Sequence, residues 1–126
     1  MVKFACKTTC GNAPKKRFLL EFNKAFAEVV IDFMINSVSD NFEWVLVGDK
    51  SIQGKENFKA ALETMKAYPS KEMILMNIIT HGREAAVQGQ LLLNDGSRYS
   101  FADIYTFTNA KGTEISRLVS HVIKLE

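Results

Sequence analysis

The sequence predicts an α+β fold: helices first, packed on one face of a mostly antiparallel sheet. Three observations carry that expectation. Apolar residues recur at helical spacing through the first third of the chain. The period changes to two after Pro69, and the alternating segments that follow are joined by turns too short for anything but hairpins. The chain has 126 residues, 47% of them hydrophobic and 24% charged, which suits one ordinary globular domain. Sixteen basic residues nearly cancel fourteen acidic ones. A net charge of +2 spread this evenly offers no footprint for nucleic acid or an anionic membrane.

Residues 1–14 read as an N-terminal extension and residues 15–126 as a single domain. The extension holds no apolar run, so neither a secretory leader nor a membrane span is expected, and a cytoplasmic location is the default. Cys6 and Cys10 lie there at a spacing that fits neither a redox pair nor half of a recognisable zinc site. They are expected to be reduced thiols with a structural or incidental role.

From Lys15 to Val38 the apolar residues Phe18, Leu19, Phe22, Phe26, Val29, Val30, Phe33 and Met34 form the stripe of one long amphipathic helix. Pro14 suits its first turn, and Asn12 is a plausible cap. Asp32 lies off the stripe and is expected in solvent. A β-branched and aromatic strand follows, Phe42 to Val47, closed by Gly48 and Asp49, with a short segment at Ser51 to Gln53. Phe58, Ala61, Leu62 and Met65 then mark a second helix, stopped by Pro69. Four strands close the chain: Glu72 to His81, Glu84 to Leu93, Arg98 to Thr108 and Thr113 to Lys124. Their turns carry Gly82, Gly96 and Gly112. His81 reads as a rim or turn residue. Met34, Met65, Met73 and Met76 read as adaptable packing, suited to lining a lipophilic cavity.

The strand from Arg98 to Thr108 carries the chemistry. Tyr99, Phe101, Asp103, Tyr105 and Phe107 alternate onto one face, so a carboxylate sits within a row of four aromatics. Poor solvation there disfavours the charged form and raises the pKa, which suits a general acid or base near neutral pH. The competing readings are an ion pair between Asp103 and Arg117, or an aromatic dimer face with Asp103 at its edge.

On the last strand Ile115, Arg117, Val119, His121 and Ile123 share a face. If Phe107 pairs with Ile115, Phe101 faces His121 and Asp103 lies diagonal to both Arg117 and His121. A one-residue slip would put Asp103 beside Leu118 and the serines and leave it without a partner. The first register is expected, because it joins two aromatic-rich or apolar faces. The candidate catalytic residues are then Asp103 as acid or base, His121 as proton partner and Arg117 as charge modulator. A satisfied core position is the alternative for His121.

Several words in this order carry a resemblance: Phe42 to Val45, Gly48 with Asp49, Ile52 to Glu56, Phe101 to Phe107, and Gly112 to Leu118. From Lys15 onward the chain resembles the nuclear transport factor 2-like superfamily in its SnoaL-like branch. The resemblance implies a curved sheet wrapped around the first helix as a cone with an apolar pocket. It implies walls from Phe22, Phe26, Trp44, Phe101 and Tyr105, with a core position as the alternative for Trp44. It also implies homodimers through the sheet's outer face, a small lipophilic ligand and no metal or organic cofactor.

Such families hold isomerases, cyclases and hydrolases as well as non-catalytic binding modules. Asp103 occupies the slot that resembles the oxyanion-hole Asp of ketosteroid isomerase. The slot of that enzyme's base is Val45 here, with only Glu43 nearby, and its catalytic Tyr falls near Glu21 or Phe22. Asp103 with Arg117 partly resembles the Asp-Arg-Asp set of epoxide hydrolases. Asp103 with His121 resembles the pair used by SnoaL-type cyclases.

Overall fold

In the computed structural model, which describes residues 2–7, 13–68 and 70–125, the first helix is shorter than its apolar stripe. Helix α1 (Pro14–Glu28) buries Leu19, Phe22, Asn23, Ala25 and Ala27, with Pro14 in its first turn. Val29 then turns left-handed at φ 53°. The Val29 N–H reaches the Phe26 carbonyl and the Val30 N–H reaches Ala25, which ends the helix in the manner usually assigned to glycine. A second helix, α2 (Ile31–Asn36), restarts at once and turns Ile31 and Met34 inward. The single helix expected up to Val38 is therefore corrected to two. No Gly or Pro marks the break, and the apolar spacing runs straight through it. After the break Val30 and Phe33 are exposed.

Strand β2 (Val38–Leu46) and β3 (Lys50–Gln53) form a hairpin, and α3 (Gly54–Met65) packs Phe58 and Leu62 against it. Phe58 stacks beside Phe42 and Trp44. The expected strands follow as β4 (Ser70–His81), β5 (Glu84–Leu93), β6 (Arg98–Phe107) and β7 (Ile115–Leu125). In the segment read as an extension, Lys3–Cys6 form an edge strand, β1, parallel to β4. Cys10, Asn12 and Pro69 lie outside the described residues.

The seven strands make one open sheet in the order β1-β4-β5-β6-β7-β2-β3. Pairs β1/β4 and β2/β7 are parallel, and the others antiparallel. Met73, Leu75, Val87, Phe101, Tyr105 and Leu118 point inward and join the helices' Leu19, Phe22 and Leu62 in a single core. Burying such side chains contributes about 1.5–3 kcal/mol each. Gly89, opposite Phe101, is forced by space, since a Cβ there would lie 2.3 Å from the Ile74 carbonyl oxygen.

One irregularity decides the site. The β6–β7 ladder starts as expected, with Phe107 opposite Ile115, but the next pair is Thr106 with Arg117. Ser116 is the extra residue of a bulge, and its hydroxyl donates to the Thr106 carbonyl at 3.1 Å. Every pair beyond it is displaced by one. Asp103 faces Ser120, Tyr105 faces Leu118 and Phe101 faces Val122.

Candidate functional site

The inner face of the sheet, α1 and α3 enclose a cavity of about 400 Å³. Phe26, Trp44, Ile52, Met65, Met73, Leu91, Phe101 and Leu118 supply an apolar wall. The exposed residues Asp49, Lys50 and Thr64 mark its mouth. Asp103 lines the cavity from β6 and is buried.

Five side chains form a hydrogen-bonded chain through Asp103. Asn23 donates from Nδ2 to the Leu19 carbonyl at 2.8 Å and to the Tyr105 hydroxyl at 3.1 Å. The carbonyl can only accept, so it fixes which end of the Asn23 amide points where. Tyr105 and Ser120 are both hydrogen-bonded to the Asp103 carboxyl. At the far end Trp44 Nε1 donates to Ser120 Oγ at 2.9 Å. An indole N–H has no acceptor role, so Ser120 turns its own proton toward Asp103, as Tyr105 does from the other side. The terminal donors thus set the direction of the whole chain, and two hydroxyl protons converge on one carboxylate. Among the described residues no buried side-chain nitrogen or oxygen lacks a partner.

These bonds favour the ionised carboxylate and burial opposes it. Burial is the larger effect: it pushes the Asp103 carboxyl up to about 7, and the Ser120 and then Tyr105 hydroxyls hold it from going higher. Burial, with the Asp103 charge next, raises the Tyr105 phenol well above its ordinary value, so that it remains a donor. At neutral pH the cavity therefore presents a carboxyl that can take or give a proton, beside aromatic walls.

Of the residues expected to line the pocket, Phe26, Trp44, Phe101 and Tyr105 do. Phe22 does not. It packs edge-on behind Tyr105, ring centres 6.0 Å apart, in the core. The expected grouping of Asp103 with Arg117 and His121 is also corrected. The Ser116 bulge turns both to the outer face, where they are exposed. Arg117 Nε there meets Glu43 Oε1 at 3.0 Å, and that ion pair replaces the one foreseen with Asp103. The slip was also expected to strand Asp103, and instead it supplies Ser120.

Trp44 combines both readings offered for it, as a wall residue whose N–H is bonded. Met65 and Met73 line the cavity, Met34 is core, and Met76 is exposed. Sequence reasoning missed Asn23, Ser120, Asp49 and Lys50. Asn23 carried a signal: it stands four residues after Leu19 and one after Phe22, inside the apolar stripe, where a polar residue needs a buried partner. Among the described residues no group of three or more His, Cys, Asp or Glu could hold a metal ion.

No protein-family model matches the sequence. No curated protein matches it either. Solved structures do match in shape. A protein of unknown function from Burkholderia xenovorans, described as NTF2-like, superposes with a TM-score of 0.75 at 15% identity, covering 90% of this chain and 85% of its own. A putative ketosteroid isomerase from Kribbella flavida gives 0.72 at 14% identity, covering 90% and 80%. An LEH-like epoxide hydrolase from M. tuberculosis gives 0.72 at 14%, covering 85% and 80%. This chain has the nuclear transport factor 2-like fold.

Proposed function

We propose that this chain is a small-molecule pocket enzyme of the SnoaL-like type, working by proton transfer on a lipophilic carbonyl-bearing or cyclic substrate. The reaction is an isomerisation, cyclisation or hydrolysis and needs no cofactor. The single observation that carries this reading is Asp103: a carboxyl titrating at about 7 within an aromatic-walled cavity of about 400 Å³. A proton carrier works best when its pKa lies near the operating pH. As a base, Asp103 takes a proton from a carbon next to a carbonyl; the C–H electron pair becomes a C=C bond and the carbonyl π pair moves to the oxygen. As an acid, it returns that proton elsewhere on the substrate. Phe26, Trp44, Phe101 and Tyr105 hold the apolar body of the substrate and exclude water. The cone-like wrapping of the sheet around α1 and a cytoplasmic location belong to the same reading.

The test is hydrogen exchange at carbon. Cyclic ketones and enones incubated with the protein in D2O are followed by proton NMR. Exchange above the buffer rate is expected, rising with pH about a midpoint near 7 and abolished in Asp103→Asn. No exchange above buffer with any ketone of the panel counts against catalysis.

A second reading, a non-catalytic dimeric binding module, is favoured by the sheet's outer face. Ile79, Ala86, Ile104, Val119 and Val45 form one cross-strand row over five strands. Ile79 and Ile104 are exposed by 63% and 42%. A row of this kind suits a second copy of the chain, and the homodimer is compatible with either reading.

A further inference from the structure

We infer that the ligand of this pocket is an amphipathic carboxylate: a neutral lipophilic body held inside, and an anionic group held outside the mouth by Lys50. The inference rests on the pocket reading above and concerns which molecules enter it. A second depression, an open groove of about 440 Å³ between β3 and α3, adjoins the cavity. Lys50, Ile52, Ala61 and Thr64 line both, so the two are continuous at the mouth. The groove adds Ser51, Gln53 and Asn57, side chains that hydrogen-bond.

Charge then orients the occupant. Asp103 lines the inner cavity and Asp49 its mouth, and neither lines the groove. A carboxylate pushed inward meets an apolar wall and the buried Asp103 carboxyl. Among the described residues that line the groove, Lys50 alone is charged. Its ammonium makes no ion pair or hydrogen bond among the described residues and is available to a ligand. An anion reaching outward therefore gains a cation and polar neighbours while the uncharged end fills the cavity.

The experiment uses a matched pair of probes, the naphthoylpropionate anion and its methyl ester, titrated calorimetrically into wild type, Lys50→Gln and Lys50→Arg. Lys50 is exposed, so neither substitution disturbs the core. The anion is expected to bind wild type roughly two- to fivefold more tightly than the ester, the scale of an exposed ion pair. That preference should vanish in Lys50→Gln, persist in Lys50→Arg and shrink as salt is raised. Equal binding of acid and ester by wild type, or a preference that survives Lys50→Gln, overturns the inference and leaves the pocket reading standing. Binding of neither probe up to millimolar concentration overturns both.

Discussion

Asp103 and Ser120 face one another across the β6–β7 ladder, and the serine hydroxyl is aimed at the carboxyl because the Trp44 indole already occupies its oxygen. Tyr105 is held in the same sense from the other side by Asn23. Asp103 thereby receives two neutral donors. They are enough to satisfy the group, but they do not offset its removal from water. The bulge at Ser116 creates this arrangement. Without the extra residue, Ser120 would point to the outer face and Trp44 would need another acceptor.

The first consequence is a stability that falls as pH rises. An aspartate in the unfolded chain titrates near 3.8, whereas Asp103 in the fold titrates at about 7. Between those values the unfolded chain binds fewer protons than the folded one, so the slope of stability against pH is negative. The full loss is roughly 4 kcal/mol, complete above the folded value. In Asp103→Asn this contribution is absent. The stability difference between wild type and variant should move by that amount between about pH 4 and pH 8, with wild type losing ground as pH increases. Urea denaturation across that range measures it.

Removing either hydroxyl should move the same titration upward. Ser120→Ala takes away the stronger of the two bonds that favour the carboxylate. It also strands the Trp44 N–H, at a cost of about 1–3 kcal/mol. Tyr105→Phe takes away the weaker bond while keeping the ring against Phe22. Both variants should raise the Asp103 midpoint above that of wild type, Ser120→Ala by more. The midpoint is read by NMR and the stability by denaturant.

Much of the fold was legible because the patterns that specify it are local. Parity along β6 correctly set Tyr99, Phe101, Asp103, Tyr105 and Phe107 on the inner face, and the hairpin turns marked β4 through β7. Two features were not legible, for the same reason. The break at Val29 and the bulge at Ser116 each involve one residue in a conformation its own chemistry does not announce. Left-handed backbone costs a β-branched residue about 1–2 kcal/mol, and the break it makes lets Ile31 and Met34 be buried. Ser116 gave no glycine signal for a bulge. Its displacement exchanged the neighbours of Asp103, so the carboxyl could be picked out from the sequence while its partners could not.

Arg117 and His121 supply the control. They stand on the outer face, away from the cavity, so Arg117→Ala and His121→Ala should leave the Asp103 midpoint and any ligand response unchanged. Loss of the exposed pair with Glu43 should cost no more than about 1 kcal/mol. A clear shift of the Asp103 titration in either variant would contradict the β6–β7 register set by the Ser116 bulge.

The outer row makes a separate prediction. Ile104→Glu sets a charge in the middle of the apolar line from Ile79 to Val45. If two copies meet there, wild type should sediment as a dimer and the variant as a monomer, with cavity ligands bound equally by both. A wild-type monomer at tens of micromolar would exclude this face as a self-association surface.

The most direct test of the account is the titration of Asp103 itself, followed by the carboxyl 13C resonance in protein labelled at aspartate. A midpoint near 7 in wild type is the predicted result, with the assigned resonance missing in Asp103→Asn. A midpoint near the ordinary aspartate value of about 4 would contradict it. The buried carboxyl would then be an ionised structural acceptor for Ser120 and Tyr105, and the proposal of proton transfer would lose its carrier.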